Sequence, residues 1–386
     1  MNSMFEILDE EAKEAVIKVI GVGGCGGNAV DHMINCGLSG VDFICANTDA
    51  QALKRNLASS QLQLGTTLTK GLGAGAKPDV GREAALEDRE RIAEMIQGAD
   101  MLFIAAGMGG GTGTGAAPIV AQVAQEMGVL TVAVVTRPFL FENKRVKVAH
   151  AGIEELAKYV NSMIIVPNDK LMEVLGEDVS FQDAFKAANG VLFGAVAGIA
   201  DIINNSGLVN VDFADVKTVM SENGMAMMGS ASAAGVDRAR IAAERAVASP
   251  LLEGVNLTGA RGVLVNITAN MSLKMKEVHE VMSAIKEFTA EDATVIFGTV
   301  FDDEAGDELR VTMVATGLGS AKANAQQKPR MEIVRTGTDN IAMEVNYEDL
   351  DEPAVMRRGR ARGVDAGQST GIDHLEIPAF LRKQAD

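Results

Sequence analysis

The sequence predicts an α/β protein: a doubly wound parallel sheet, a long central helix, a second, smaller α+β domain with a mixed sheet, and a disordered C-terminal linker with a short tail peptide. Three observations support this prediction. Apolar runs of strand length alternate with helical patterns in the first half, a helical pattern over residues 180–205 is apolar over much of its surface, and the composition turns polar after Gly319. The expected segments are an N-terminal arm (1–15), the parallel-sheet domain (16–178), the central helix (179–205), the second domain (206–317), the linker (318–371) and the tail peptide (372–386).

Length, charge and cysteine content restrict the class of protein. The 386 residues suggest two or three domains. Aromatic residues make up 4% of the chain and the net charge is −17, which argues against nucleic-acid binding and against binding to anionic membranes. The three cysteines form no Cys-x-x-Cys pair, so they indicate neither a disulfide framework nor a zinc site and fit a reduced cytoplasm. We recognise no signal peptide and no apolar run of about 18 residues, and we expect no membrane insertion.

Apolar runs rich in β-branched residues predict the strands of the first domain. They are Val16–Ile20, Val41–Ala46, Met101–Ala106, Val129–Val135 and Ser162–Val166, with a short strand at Gln61–Leu64. Helical patterns follow at Asn28–Ile34, Val80–Ile96 and Ala116–Glu126. This alternation indicates a parallel, doubly wound sheet.

The glycine-rich stretch Gly107–Gly115 lies between a predicted strand and a predicted helix that has Pro118 in its first turn. Glycine costs about 0.5–1 kcal/mol relative to alanine inside a helix or strand, so we expect a loop. Such a loop aims free N–H groups and a helix dipole at one point, where a phosphate fits, and Thr112 and Thr114 add hydroxyl donors. No Lys-Ser/Thr pair follows, so the loop is not a Walker A loop, and it offers no general base.

A second glycine loop follows the first strand, where Gly21, Gly23 and Gly26 match the dinucleotide-binding pattern G-x-G-x-x-G. Asp49 follows the next strand, where it can face a ribose or cap a helix. Asn28 is either a helix-start residue or a ligand contact. These features make an NAD-dependent oxidoreductase the alternative function. The glycine loop at 107–115 and the scattered histidines count against it; the histidines are His32, His150, His279 and His374.

Two further segments are predicted to reach the same end of the sheet. The loop Gly71–Lys77 offers backbone N–H groups to a phosphate, or is an ordinary turn. Glu142 and Arg145 follow the strand Val129–Val135, where they can reach a ribose or phosphate or form a solvated ion pair. In the central helix, the residues alone favour a core position for Phe185 over stacking on a base.

Two carboxylates follow the central helix. Asp212 is suited to cap the helix Val216–Ser221, with Asp215 favouring its first turn. The sharper interpretation is that both carboxylates and Asn210 position a water molecule. The spacing alone leaves both open.

The second domain begins with Met225–Ser230, which we interpret as a soft linker. Helices are predicted at Asp237–Val247 and Ser272–Phe288, and strands at Gly262–Thr268, Thr294–Phe301 and Glu308–Ala315, with Asp302–Asp307 joining the last two as a hairpin. No catalytic chemistry is apparent there. At the end of the chain, an apolar cluster with two basic residues predicts a peptide that folds onto a partner groove. Its apolar members are Leu375, Ile377, Phe380 and Leu381.

The combination is more specific than its parts. Gly109–Gly115, with Gly23–Asn28, Asn47–Asp49 and Asn210–Asp215 after a long central helix, resembles the tubulin/FtsZ GTPase family. The tail Ile377–Gln384 resembles the C-terminal peptide of that family's members in Gram-negative bacteria. The resemblance implies a cytoplasmic GTPase that binds GTP or GDP with Mg²⁺, polymerises head-to-tail, and forms the division ring at midcell under the inner membrane. A nucleotide-binding scaffold without turnover is a third hypothesis.

The resemblance also implies residue roles. The catalytic residues would be Asn210, Asp212 and Asp215, inserted into the site of the next subunit. Nucleotide binding would involve Gly23, Gly24, Cys25, Gly26, Gly27, Asn28, Asp49, Ala74, Gly75, Ala76, Gly109, Gly110, Gly111, Thr112, Gly113, Thr114, Gly115, Glu142, Arg145, Phe185 and Asn189. Among these, Phe185 would stack on guanine and Asn189 would read its edge, whereas Mg²⁺ would be held mainly by phosphates and water.

Expected partners follow from the same resemblance. The chain would bind itself, membrane-tethering division proteins, division inhibitors and bundling proteins, but no nucleic acid. The tail contacts would be Ile377, Pro378, Phe380, Leu381, Arg382 and Lys383. Two positions depart from the family: Gly190 stands where many relatives have Asp or Asn, and Cys25 replaces a common glycine.

Overall fold

One sheet of ten strands organises the described part of the chain, in the order β3-β2-β1-β4-β5-β6-β7-β10-β8-β9. The computed structural model describes residues 15–176, 178–204, 211–222, 224–249, 260–290, 293–302 and 305–318. The tail peptide, all but one residue each of the N-terminal arm and the linker, and Asn210 lie outside these residues. The strands are β1 (Ile17–Val22), β2 (Asp42–Asn47), β3 (Ser60–Gln63), β4 (Met101–Gly107), β5 (Leu130–Arg137), β6 (Ser162–Pro167), β7 (Gly224–Ala234), β8 (Gly262–Ala269), β9 (Thr294–Phe301) and β10 (Glu308–Leu318).

Helices cover both faces of this sheet. They are α1 (Gly23–Asn35), α2 (Ala50–Arg55), α3 (Thr66–Thr69), α4 (Pro78–Glu87), α5 (Arg89–Ile96), α6 (Thr112–Glu126), α7 (Lys144–Leu156), α8 (Asn168–Leu175), α9 (Phe181–Asn204), α10 (Phe213–Met220), α11 (Arg238–Val247) and α12 (Met275–Lys286). A 3₁₀ turn, η1, spans Leu140–Glu142. Strands β1 to β6 are all parallel where they pair, which confirms the predicted doubly wound sheet.

The central helix α9 confirms the predicted buried helix. Leu192, Val196 and Ile199 are fully buried and pack in one core cluster with strands β1, β4 and β5. By length and composition alone, Gln182–Asn204 is apolar enough to cross a bilayer, although half of its most apolar window is buried inside the protein. That burial is the pattern of a core helix.

The segment Met225–Ser230 is not a linker but belongs to strand β7. It pairs in parallel with β6 and antiparallel with β10, so the sheet continues from the first half of the chain into the second. Ala226 and Met228 are buried. Small side chains with little intrinsic strand preference form this strand because both neighbouring strands supply ladder partners, so tertiary context overrides local propensity.

The predicted hairpin between the last two strands is wrong. Strand β10 lies between β7 and β8 and is antiparallel to both, whereas β9 pairs in parallel with β8 at the sheet edge. Adjacency along the chain favours a hairpin, but the pairing of β10 with the more distant β7 and β8 decides its position. As a result, nine of the eleven residues of β10 are buried, against three of eight in β9.

The helix predicted at Val80–Ile96 is broken at Asp88. This residue is buried, and both of its oxygens have partners: Oδ2 accepts a hydrogen bond from Gly65 N at 2.7 Å and Oδ1 pairs with Arg91 at 2.9 Å. Its backbone leaves helical geometry, with φ of −105° and ψ of 24°. The carboxylate therefore divides one amphipathic pattern into α4 and α5.

Candidate functional site

An open cleft of about 270 Å³ lies at the carboxyl ends of β1, β4, β5 and β6. Val22, Gly107, Thr136 and Asn168 mark where these strands end or the next element begins, and all four line the cleft. The carboxyl edge of a doubly wound sheet is where ligands of such folds bind, at the point where strand order reverses on either side of β1.

Two helix N-termini converge on this cleft. Helix α1 begins at Gly23 and α6 begins at Thr112, so the predicted starts at Asn28 and Ala116 are each several residues too late. The two first turns touch: a Cβ atom on Gly23 would lie 2.8 Å from Gly113 N, and Gly23 has φ of +74°. Glycine is therefore used inside helices for close approach. The positive ends of two dipoles point to one place, which suits an anion.

The loop before α4 lies on the same side of the cleft as the first turns of α1 and α6. We call this side, which Gly24, Gly75 and Gly110 line, the glycine wall. A Cβ atom on Gly111 would lie 2.2 Å from Gly75 O, so the two loops are in backbone contact. The fully buried Thr48 ties them together, because its hydroxyl accepts from Ala74 N at 3.0 Å and bonds the Thr112 hydroxyl at 2.7 Å. Sequence reasoning missed Thr48, although Asn47–Asp49 was singled out around it.

The wall presents bare backbone to the cleft. Gly24, Gly75 and Gly110 line it, and a Cβ atom on any of them would meet no protein atom within 4 Å. The space beside these residues is thus left to a ligand. Backbone N–H groups at such positions can approach phosphate oxygens without a side chain between.

Glu142 and Arg145 line the cleft and also form an ion pair of 2.8 Å. The predicted ion pair is therefore present at a position from which a ligand can also be reached. Glu142 has a second contact, because its Oε1 accepts a hydrogen bond from Phe139 N at 3.0 Å. The Arg145 side chain is 58% exposed. It is placed to donate to a ligand oxygen at the mouth of the cleft.

Phe185 is not a core residue, contrary to the interpretation from the residues alone. It is 38% exposed, lines the cleft, and meets the buried ring of Phe139 edge-on, with the centroids 6.0 Å apart. Phe139 in turn stacks on Phe141 at 5.1 Å. The Phe185 ring is thereby fixed at its edge, and a planar group can stack on it.

Asn168 was overlooked in the sequence. It opens α8, is 5% exposed, lines the cleft, and its Oδ1 has no hydrogen-bond partner among the described residues. A buried acceptor left without a donor costs about 1–3 kcal/mol. A ligand donor would satisfy it. The signal was available as Pro167–Asp169 at a strand end, but an asparagine there is also an ordinary helix-start residue.

Cys25 lines the cleft beside Thr136, with 3.6 Å between its Sγ and the threonine hydroxyl. Burial raises the pKa of this thiol, against the lowering effect of the hydrogen bond with Thr136. The thiol therefore stays protonated at neutral pH and is no nucleophile.

Several residues implied by the resemblance do not line the cleft. Asp49 caps α2, accepting from Gln51 N at 2.8 Å and Ala52 N at 3.2 Å. The Thr114 hydroxyl accepts from Gly109 N at 2.8 Å and so shapes the loop. Thr114 and Gly115 line a separate, mainly apolar cavity of about 300 Å³ behind α6. The others outside the lining are Gly23, Gly26, Gly27, Asn28, Ala74, Ala76 and Asn189.

The two carboxylates after α9 lie far from this cleft. Val211 packs beside Ile202, since a Cβ atom on Gly298 would lie within 3.4 Å of both side chains. Phe185, at the other end of α9, lines the cleft, and the helix rises about 25 Å between Phe185 and Ile202. Asp212 therefore cannot reach the cleft of its own chain.

Asp212 occupies the N-cap position of α10, as the helix-capping interpretation predicted, but its side chain makes no capping hydrogen bond. Asp212 and Asp215 are both exposed. Neither carboxylate has a hydrogen bond or ion pair with the described residues. Within the described residues, both carboxylates are therefore left without a partner.

Comparison with known proteins identifies the family. Residues 16–176 match the GTPase domain of the Tubulin/FtsZ family, and residues 224–319 match the C-terminal domain of the FtsZ family. The cell division protein FtsZ of Pseudomonas aeruginosa is 57% identical over 99% of this chain and 100% of its own length. The chain belongs to the tubulin/FtsZ family. The Coxiella burnetii FtsZ is 55% identical, covering 98% of this chain and 99% of its own. The fold is also similar to an FtsZ dimer of M. jannaschii, at a TM-score of 0.76 and 41% identity over 80% of this chain and 89% of that one.

Membership in the FtsZ family makes the chain a GTPase that binds GTP and GDP, with a tubulin-like fold. The NAD-dependent oxidoreductase is not supported, because the GTPase domain covers Gly21–Gly26, the residues on which that alternative rested. The G-x-G-x-x-G spacing arose from packing: a Cβ atom on Gly26 would lie 2.2 Å from Ala105 O.

Proposed function

We propose that this chain is a self-assembling GTPase of bacterial cell division whose hydrolytic site is divided between two copies. The observation that carries the proposal is the distance of about 25 Å along α9 between the cleft and the carboxylates. The cleft holds no free carboxylate among its lining residues, whereas Asp212 and Asp215 are exposed and unpaired within the described chain. A head-to-tail neighbour would bring the two parts together.

The residues that line the cleft are suited to bind a guanine nucleotide. The phosphates would lie against Gly24, Gly75 and Gly110, at the meeting point of the α1 and α6 dipoles. The base would stack on Phe185. Guanine presents two N–H donors on its Watson–Crick edge, and the buried Asn168 Oδ1 is an acceptor that lacks a donor. Adenine has an acceptor at the equivalent ring nitrogen, which would oppose this oxygen.

Mg²⁺ fits this proposal only together with the phosphates. Glu142 is the one carboxylate that lines the cleft among the described residues, and it already holds Arg145 and Phe139 N. In the part of the chain that is described, no cluster of three or more His, Cys, Asp or Glu side chains forms a metal site. We therefore expect Mg²⁺ to be held by phosphate oxygens and water, where it would compensate phosphate charge.

The residues of this chain then share the work of phosphoryl transfer. The glycine wall and Arg145 hold the triphosphate, and Asp212, Asp215 and Asn210 of a second copy orient the attacking water. Phosphoryl transfer needs mainly positioning and charge compensation, so a divided site is chemically sufficient. A heterologous contact of this kind does not close, so it yields filaments.

The cellular role rests on the relatives. Two relatives that match almost the full chain are cell division proteins, so we expect this chain in the cytoplasm, in a ring at midcell under the inner membrane. The residues 372–386 would bind membrane-tethering division proteins, and division inhibitors and bundling proteins are expected partners. We retain 16–178 and 206–317 as the GTP-binding and second domains, joined by the helix at 179–205.

The test is GTP hydrolysis measured against protein concentration, with light scattering on the same samples. We expect specific activity to rise from near zero above a threshold at which scattering also appears. Asp212→Ala should bind GTP normally and lose hydrolysis. Specific activity that does not depend on concentration would mean that each chain holds a complete site.

A further inference from the structure

The segment between β5 and α7 carries Glu142 and leads directly into Arg145, the second residue of α7, yet only a short 3₁₀ turn gives the segment regular structure. Asn143 has φ of +43°, a conformation that a non-glycine residue seldom adopts. A segment of this kind needs outside contacts to hold one conformation. The contacts that hold Phe139 and Leu140, at the start of this segment, set the direction of the turn. That direction decides where Glu142 and Arg145 point.

Two carboxylates hold two consecutive backbone N–H groups at this entrance. Glu142 Oε1 accepts from Phe139 N at 3.0 Å, a contact within the turn itself. Asp169 Oδ1 accepts from Leu140 N, also at 3.0 Å, and comes from the first turn of α8, after the next strand of the sheet. Only the second contact ties the segment to the rigid sheet.

Asp169 is placed for this task by its surroundings. It follows Asn168, whose side chain lines the cleft, so one short stretch at the end of β6 reaches both the cleft and the turn. Its other oxygen, Oδ2, is buried and has no hydrogen-bond partner among the described residues. The carboxylate therefore makes one directed contact, to Leu140 N, and that contact is the specific work of this side chain.

We infer that Asp169 is a positioning residue of the nucleotide site, which orients Glu142 and Arg145 toward the ligand through Leu140 N. This inference rests on the proposed function, because it takes the cleft to be a guanine-nucleotide site. Asp169 touches neither ligand nor reacting atoms.

Two other roles have to be separated from this one. An acid in the first turn of α8 also favours the helix dipole, which is a purely structural effect. Its charge could also act on the nucleotide at a distance. Asp169→Asn removes the negative charge, on which both of these effects depend, but keeps an oxygen that can accept a hydrogen bond from Leu140 N. Asp169→Ala removes both the charge and the hydrogen-bond acceptor.

The measurement is the dissociation constant of a fluorescent GDP analogue, taken below the assembly threshold and confirmed by competition with GDP. A hydrogen bond from a backbone N–H to a charged group contributes about 1.5–3 kcal/mol, so Asp169→Ala should weaken binding about tenfold or more. Asp169→Asn should restore part of the lost affinity, because a hydrogen bond to a neutral oxygen is about half as strong as one to a carboxylate. In hydrolysis, Asp169→Ala should raise KM for GTP and leave kcat nearly unchanged.

The donor side of the same bond can be removed independently. Leu140→Pro deletes the N–H at the first position of the turn, where proline is tolerated, and Phe139 before it already has φ of −61° and ψ of 148°, which proline requires of its predecessor. Leu140→Ala is the matched control, because it keeps the N–H and the leucine side chain is 65% exposed. Leu140→Pro should weaken binding as Asp169→Ala does, and the double variant should be no weaker than either single variant.

Wild-type affinity in Asp169→Ala, or additive losses in the double variant, would overturn the positioning role. An Asp169→Asn variant as weak as Asp169→Ala would show that charge, not the hydrogen bond, is what matters. A wild-type chain that binds no guanine nucleotide would instead refute the proposed function, so the two failures are distinguishable.

Discussion

Gly23 and Gly113 bring the first turns of α1 and α6 into contact, since a Cβ atom on Gly23 would lie 2.8 Å from Gly113 N. This contact makes one anion site from two helix dipoles. It also means that the site depends on backbone packing as much as on any side chain.

Gly23→Ala is expected to lower both stability and nucleotide affinity. Its φ of +74° costs an alanine about 1–2 kcal/mol, and the added methyl group pushes the two helices apart. We expect at least tenfold weaker GDP binding and a lower midpoint of thermal unfolding. Gly24→Ala is the matched control, because a Cβ atom there meets no protein atom within 4 Å. It should weaken binding and leave the unfolding midpoint unchanged. Normal GDP binding by Gly23→Ala would contradict the convergent-helix account.

Phe185→Ala is expected to weaken binding of the base and not of the phosphates. Stacking of a base on an aromatic ring contributes about 1–3 kcal/mol, so GDP affinity should fall about tenfold or more while pyrophosphate affinity stays the same. Phe185→Tyr should bind GDP nearly as the wild type does. The control is Phe288→Ala, a ring that is 42% exposed and follows α12. Equal losses for GDP and pyrophosphate would mean that Phe185 shapes the cleft and does not stack.

Asn168→Ala is expected to lose affinity without losing stability. A buried side-chain oxygen with no partner costs about 1–3 kcal/mol in the folded chain, so its removal should leave the free energy of unfolding unchanged or raise it by up to that amount. GDP binding should weaken about tenfold and discrimination against ADP should shrink. A variant that unfolds much more easily but binds GDP normally would assign Asn168 a purely structural role.

Asp201 in α9 is expected to make stability fall as pH rises. Burial raises the pKa of its carboxyl from 3.8 to about 6, against attraction from Arg310 and with repulsion from Asp302 adding to the increase. The folded protein therefore binds more protons than the unfolded chain between these values, and stability is lost as pH rises through about 6. At neutral pH the ionised group costs on the order of 3 kcal/mol.

Asp201→Asn should consequently raise the unfolding midpoint at pH 7.5 by a few degrees and flatten its dependence on pH between 4 and 6. Differential scanning calorimetry over that range measures both effects. Asp42→Asn, at an exposed position at the start of β2, is the control and should change neither. An Asp201→Asn variant with the wild-type pH profile would show that another group governs it.

The sequence specified the elements whose signal is local. The strands β4 and β5 are continuous apolar runs, so the sheet could be predicted. The glycine stretch at 107–115 lies between a buried strand and a helix, where a flexible linker is not expected, so the glycine wall could be predicted too. The long α9 was evident from its apolar surface. The exact helix starts were not, because glycine serves close packing inside α1 and α6, where propensity alone predicts a loop.

The features that were missed depend on contacts between distant residues. Strand β10 takes its central position through pairing with β7 and β8, and Met225–Ser230 becomes part of β7 through pairing with β6 and β10. No local sequence pattern encodes either pairing. Thr48 and Asn168 are polar residues at strand ends, and only burial in the fold distinguishes them from ordinary helix-start residues. The tail peptide remains a prediction, because it lies outside the described residues.

The most direct test of a divided site is complementation between two inactive variants. Asp212→Ala lacks the carboxylate, and Gly24→Leu fills the cleft at a position where the protein itself leaves space. Co-sedimentation should first establish that the two variants enter the same filaments. GTP hydrolysis by the mixture is then compared with the sum of the separate samples. We expect the mixture to be active, because some contacts pair the intact cleft of one variant with the intact Asp212 of the other. A mixture no more active than that sum, in filaments that contain both variants, would contradict the shared site.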